Sequence, residues 1–207
     1  LDGGNGANQI IFGSTPTGGS STLTFAVFRT TANTIQVLGD NGAGSTILSI
    51  TSGANTYTAG ATWHHILISC DMASSATSFL YIDGADVGSA ATFTNDTLDF
   101  TSADWMIGAQ DDAGNKFNGC LAEIYFAEGA GQFLNISTAS NRLKFRDAYG
   151  KPAPLGANGA APTGTAAIVY QHLNDGEAVA NFATNRGTGG DLSIVGSLDT
   201  GSTSPSD

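Results

Sequence analysis

Two glutamates, Glu123 and Glu128, bracket the run Glu-Ile-Tyr-Phe-Ala-Glu. Paired carboxylates are the machinery of glycoside hydrolysis. One protonates the leaving oxygen and the other attacks the sugar, with the two about 5 Å apart in retaining enzymes. In a regular strand these two glutamates point to opposite faces, so only a bulge would bring them together. The residues therefore favour a structural reading. Glu123 caps or salt-bridges at a sheet surface, Glu128 begins a loop, and no catalytic residue is assigned.

The three histidines point the same way. His64 and His65 are adjacent, so a strand turns them to opposite sides, and His172 lies far off in sequence. No His-x-x-x-His or Cys-x-x-Cys spacing suggests zinc. No Gly-x-Ser-x-Gly elbow supports a Ser-His-Asp triad. Each histidine is expected to be hydrogen-bonded within the fold. The run Asn185–Gly190 completes no phosphate-binding motif and reads as a turn before a last strand.

The best candidate for a metal site is the loop Gln110-Asp-Asp-Ala-Gly-Asn-Lys116. Asp111, Asp112 and Asn115 offer hard oxygens in a glycine-containing turn, which suits Ca²⁺. A solvated acidic turn accounts for the same residues and is the favoured reading. Sugar binding calls for aromatic rings beside polar groups. Tyr57, Trp105 and Tyr125 are the candidates, each with a core position as its alternative.

Composition bounds the elements that must carry these side chains. Charged residues are 12% of 207, about half the usual share, and glycine, at 28, is about twice its usual share. The polar surface must come from Ser, Thr, Asn and Gly, which suits exposed strands and tight turns. The net charge of -11, with only seven Lys and Arg, argues against a nucleic-acid surface. Four of those seven, Arg142, Lys144, Arg146 and Lys151, cluster, and a solvated helix face is the expected reading. No apolar run approaches the ~18 residues of a membrane span. Cys70 and Cys120 sit in apolar runs and are expected to be two buried thiols rather than a disulfide. The sequence opens at Leu1, as expected for a processed chain or for part of a longer one. Asn95-Asp-Thr97 and Asn135-Ile-Ser137 fit the glycan-acceptor pattern, which matters only in a eukaryotic secretory pathway.

Strands are predicted at Ile10–Phe12 (an edge strand), Leu23–Arg29, Thr34–Leu38, Thr46–Ile50, Trp63–Cys70, Ser78–Ile82, from Val87, and at Trp105–Ala109 and Gly119–Ala127. Ala167–Gln171 and Leu192–Leu198 follow. Asp83-Gly84 marks a tight hairpin turn. One short helix is predicted over Thr138–Tyr149, ended by Gly150 and the prolines beyond. This spacing indicates an all-β, two-sheet antiparallel sandwich. A single domain over residues 1–199 is expected, with an irregular lead-in over 1–22, a long surface loop over 150–166 and a Ser-rich tail over 200–207.

One ordered set of segments resembles a known family. Trp63-His-His-Ile-Leu-Ile-Ser-Cys-Asp71, Leu80-Tyr-Ile-Asp-Gly84, Met106-Ile-Gly-Ala109 and Phe117-Asn-Gly-Cys-Leu-Ala-Glu-Ile-Tyr-Phe126 resemble the laminin-G-like run of concanavalin A-like domains. Asn141–Pro152, Leu155-Gly, Ala180–Gly190 and Ser204-Pro-Ser206 resemble the tail of such domains in bacteriophage virion proteins. The resemblance implies a concanavalin A-like jelly roll. It also implies a non-enzymatic virion structural, decoration or adhesion role, with other virion proteins or like copies as partners in a multivalent assembly and host-surface glycans as a contact. The implied location is the virion, assembled in host cytoplasm, or else a secreted, extracellular setting. No membrane insertion or required cofactor is implied; laminin-G-like relatives often hold Ca²⁺ at a rim. Some glucanases on this fold carry Glu-x-Asp-x-x-Glu on one strand, and here Tyr125 replaces the Asp. The alternatives are a calcium-dependent lectin and, after it, a glycoside hydrolase.

Overall fold

The computed structural model describes residues 1–16, 22–102, 104–174, 176–201 and 203–205. Parts of the expected lead-in (17–21) and Ser-rich tail (202, 206 and 207) therefore lie outside the described residues, as does Ser206 of the tail motif. The chain divides into two compact units, Leu1–Gly119 and Cys120–Asp207.

Among its described residues the first unit holds nine strands. They are β1 (Gln9–Thr15), β2 (Phe25–Arg29), β3 (Ile35–Asp40), β4 (Thr46–Thr51), β5 (Ile66–Ser69), β6 (Phe79–Ile82), β7 (Ala85–Asp86), β8 (Ser89–Phe93) and β9 (Asp104–Ile107). Six form one antiparallel sheet in the order β8-β4-β3-β2-β1-β9, and β5-β6-β7 form a second. The fold is all-β and antiparallel with almost no helix, as the strand spacing predicts. β1 is longer than expected and lies inside the sheet, between β2 and β9, instead of at an edge. Only the apolar centre of β1 is visible in sequence. Gln9 pairs with Arg29, Ser14 with Phe25 and Trp105, and Thr15 with Asp104, so the ladders extend the strand past its apolar centre.

Register explains the core. Directly paired residues share a face. One row reads Ile107, Phe12, Val27, Val37, Ile50, Ala90, and the next Trp105, Ser14, Phe25, Gly39, Leu48, Phe93. Val37 and Leu48 in these rows are fully buried. The opposite face carries Met106, Gly13, Ala26, Leu38, Ser49 and Thr92. Residues 94–102 link β8 to β9, the two edges of the sheet, and cross its apolar face. Phe100 packs edge-on against Phe25 (5.4 Å), and the Ser102 hydroxyl meets that of Thr24 at 2.6 Å. A Cβ at Gly39 would lie 2.4 Å from Leu98 Cδ2, so glycine there makes room for the crossing segment.

The β6–β7 hairpin closes through Asp83 (φ 54°) and Gly84 (φ 85°). Positive φ at both positions is the type I′ turn whose twist matches the strands. Asp83 bears the left-handed cost, and its carboxylate accepts from the His65 N–H (2.9 Å) and faces His64 Nδ1 (2.7 Å). Asp83→Ala is expected to cost about 2 kcal/mol in urea unfolding. Asp83→Asn, which keeps an acceptor and tolerates this φ, should cost less than half as much. Equal losses would show that charge on Asp83 matters more than turn geometry.

The second unit contains β10 (Ile124–Phe126), β11 (Val169–Gln171) and a single turn of helix, α1 (Ala139–Arg142). β10 pairs with β11 through Tyr125 and Tyr170. The predicted helix over Thr138–Tyr149 stops early, because Leu143 to Phe145 continue as tight turns. The predicted strand Leu192–Leu198 is not formed. Val195 is 93% exposed and the run has no ladder. Instead, residues 185–189 of the turn expected over 185–190 lie along β11. The Arg186, Thr188 and Gly189 amides donate to the carbonyls of Tyr170, Ala167 and Ile168. Ile136, Phe145, Leu155, Ala167 and Tyr170 fill this unit's interior.

The clustered cations do not make one solvated helix face. Arg142 donates to the carbonyls of Ile136 (2.6 Å) and Ser137, and Lys144 to that of Pro162 (2.8 Å). They satisfy loop carbonyls around a helix too short to do so itself.

Candidate functional site

Each candidate is best judged by what its polar atoms already do. In the 110–116 loop, Asp111, Asp112 and Asn115 are all exposed. Asp112 Oδ1 accepts the Gly114 N–H (2.8 Å), and the Asn115 side-chain amide donates to Gln110 Oε1. Ala113 and Asn115 adopt positive φ, and the turn is closed by Gln110 N–H to Gly114 O and Ala113 N–H to Gln110 O. Among the described residues, no three His, Cys, Asp or Glu side chains gather as a metal-binding group.

The three candidate aromatics sit against other rings. Trp105 packs between Phe12 (5.3 Å) and Phe100 (6.2 Å) beside Phe25, on the apolar face. Tyr57 meets His64 edge-on at 5.1 Å, and burial holds its pKa above the ordinary tyrosine range. Tyr125 meets Phe145 edge-on at 5.3 Å in the second unit, and burial raises its pKa likewise.

Glu123 immediately precedes β10. Its Oε1 accepts the Tyr170 hydroxyl (2.9 Å) and faces His172 Nδ1 (3.2 Å), while the Tyr170 and His172 rings stack in parallel. Burial, then the Glu123 charge, raises the Tyr170 pKa. Glu128 is exposed beyond the strand end. Arg186 continues the network, reaching the His172 carbonyl (3.1 Å) and the Glu177 carboxylate (2.6 Å). Tyr170 lies on β11 and His172 just beyond its end, two apart along the chain, so their rings come to one face. Their register with Glu123 could come only from the fold.

Hydrogen bonds from Asn174 and Arg186 hold the Glu177 pKa down to about 2, against an ordinary 4.5. Between those values the unfolded chain takes up a proton that the folded chain refuses, so stability falls as pH falls through this window. Glu177→Gln should flatten that part of the acid limb in melts across a pH series. An unchanged limb would show that the contact does not persist in solution.

Neither cysteine is fully buried as expected: Cys70 is half-buried and Cys120 exposed. Burial pushes the Cys70 thiol up to about 12, which leaves little thiolate at neutral pH. Cys120, expected to be buried, is exposed because only Ile124–Phe126 of its predicted strand forms.

A shallow open hollow of about 510 Å³ lies at one end of the large sheet. It is lined by the β3–β4 turn (Asn41 to Ala43) and by Asp96 to Asp99 and Thr101 of the crossing segment. Asn41 donates to Asp96 (2.7 Å), and Asp99 accepts from the Thr101 N–H and hydroxyl. Those hydrogen bonds hold both aspartates below the ordinary carboxylate range.

A laminin-G model described as the concanavalin A-like lectin/glucanases superfamily matches residues 1–132. No curated protein and no solved structure matches the chain.

Proposed function

Since the chain belongs to the concanavalin A-like lectin/glucanase superfamily, we propose that it is a non-enzymatic adhesion and decoration module of a bacteriophage virion, whose rim loops contact host-surface glycans. The observation that carries this reading is the contrast between Glu123 and the rim hollow. Glu123, the carboxylate best placed for acid–base chemistry, is committed to Tyr170 and His172. The hollow by contrast offers fixed carboxylates, an amide, hydroxyls and the Leu98 side chain on an open surface. Such a surface suits the hydroxyl-rich, uncharged face of a sugar. Weak single contacts become useful when many copies on one particle engage together. Other virion proteins or like copies are the partners this role implies, and its setting is the particle. The acidic surface fits neither nucleic acid nor an anionic membrane.

A calcium-dependent lectin is the second reading, supported by the two exposed carboxylates of Asp111 and Asp112 beside Asn115. One experiment separates the two. The purified chain, alone and displayed multivalently, is tested on a glycan panel and on host-cell envelopes, with and without EDTA. Adhesion at the hollow predicts multivalent binding that survives EDTA and is lost in Asp96→Ala/Asp99→Ala. Binding abolished by EDTA and by Asp111→Ala moves the assignment to the 110–116 loop. Failure of the multivalent form to bind any glycan or envelope removes the adhesive part of the proposal.

A further inference from the structure

The sequence contains four Asn-Gly pairs: Asn5-Gly6, Asn41-Gly42, Asn118-Gly119 and Asn158-Gly159. Asn-Gly is the dipeptide most open to succinimide formation, because glycine places no side chain in the way of ring closure. The first two pairs have opposite electrostatic settings. Asn5 Oδ1 accepts from Arg29 Nη1 (3.2 Å) and from the Ala59 N–H (2.9 Å). Arg29 is 0% exposed, and its other partners are the neutral carbonyls of Gly3 (2.6 Å) and Tyr57 (3.2 Å). Asn41 Oδ1 also accepts two N–H groups, from Ala43 and Ser45, but its amide nitrogen donates to the Asp96 carboxylate.

We infer that Asn5 is a site of self-modification, where the buried Arg29 selects deamidation of this one asparagine to a carboxylate. The chemistry needs only water. The Gly6 N–H, which donates to Asn33 Oδ1 (3.0 Å), must first leave that bond; its nitrogen then gives its proton to solvent and attacks Cγ of Asn5, and negative charge develops on Oδ1. The side-chain nitrogen takes a proton from solvent, its bond to Cγ breaks and ammonia leaves, giving the succinimide. Water then opens the ring to aspartate or isoaspartate. A guanidinium and an N–H aimed at Oδ1 are donors placed where this charge develops, the arrangement that stabilises an oxyanion. Gly6 has φ 77°, and nothing lies within 4 Å of where its Cβ would be, so the glycine side of the pair is open.

The product matters as well. A carboxylate at position 5 gives Arg29 the counter-charge that its pocket lacks, and removing a buried charge from isolation is strongly favourable. At Asn41 the same conversion sets a new carboxylate against Asp96. The consequence is local. Residues 1–8 are strapped across the rim by Gly60 N–H to Leu1 O, Gly6 N–H to Asn33 Oδ1 and Thr31 N–H to Asn8 Oδ1. An ion pair at position 5 tightens that strap.

The test is to hold the purified chain in mildly alkaline buffer and map amide loss and isoaspartate at all four pairs over time. A synthetic peptide of residues 1–12 serves as the unfolded reference. Asn5 should convert first, about tenfold or more ahead of Asn41. Parity with Asn41, or an intact Asn5 after the peptide has converted, overturns the inference. In Arg29→Met the lead of Asn5 should vanish. Should that variant not fold, Asn5→Asp decides: a raised urea midpoint supports the inference, and a lowered one overturns it.

Discussion

Arg29→Ala should be among the most damaging single substitutions in the first unit, lowering unfolding free energy by about 3–5 kcal/mol. The side chain is fully enclosed, and it ties Gly3 and Asn5 of the lead-in to Tyr57 across the rim. Burial lowers its pKa, yet a guanidinium stays protonated, so the fold holds a cation on neutral oxygens. Truncation leaves both a cavity and carbonyls whose donor is gone. Arg29→Met keeps most of the volume and removes only the donors, so it should cost less, about 2 kcal/mol. Arg29→Lys should fall near Met, since one ammonium cannot reproduce the fork's geometry. Equilibrium urea unfolding gives all three, provided the slope is unchanged. An alanine variant within about 1 kcal/mol of wild type would mean that the strap is not held by this residue.

In the second unit, Gly187→Ala should cost about 2–3 kcal/mol. A Cβ there would lie 2.6 Å from both the Ala167 and Ile168 carbonyl oxygens. These are backbone atoms already engaged by the Thr188 and Gly189 amides, so they cannot swing aside. Gly190, three residues along the same segment, faces open space, and Gly190→Ala should be neutral or stabilising by about 0.5 kcal/mol. Thermal melts compare the two. Hydrogen exchange at the Tyr170 amide should quicken in the first variant alone. If the two substitutions behave alike, the 185–189 segment does not sit against β11 in solution.

Several features of this protein follow from local chemistry, and these were legible. Apolar alternation at Phe25, Val27, Val37, Leu48 and Ile50 can be satisfied only by strands with a buried face. Asp83-Gly84 can scarcely be anything but a hairpin turn, and the Trp63–Asp71 to Phe117–Phe126 set pointed to the family whose match spans residues 1–132. The misreadings fall where the deciding interaction is distant. Leu192–Leu198 has strand composition, but a strand needs a partner, and the edge of β11 is taken by 185–189. Thr138–Tyr149 has helical punctuation, yet only Ala139–Arg142 forms, because its cations are drawn to loop carbonyls at Ile136 and Pro162.

The same division applies to the candidate sites. By itself the sequence determined which groups exist: too few cations for nucleic acid, no zinc spacing, a tyrosine between Glu123 and Glu128. Tertiary structure alone decided what each group touches. It brought Glu123 to Tyr170 and His172, packed Trp105 among Phe12, Phe25 and Phe100, and enclosed Arg29 against the lead-in. Residue type and local spacing are written along the chain, whereas register, burial and the identity of a neighbour dozens of residues away exist only once the strands have paired.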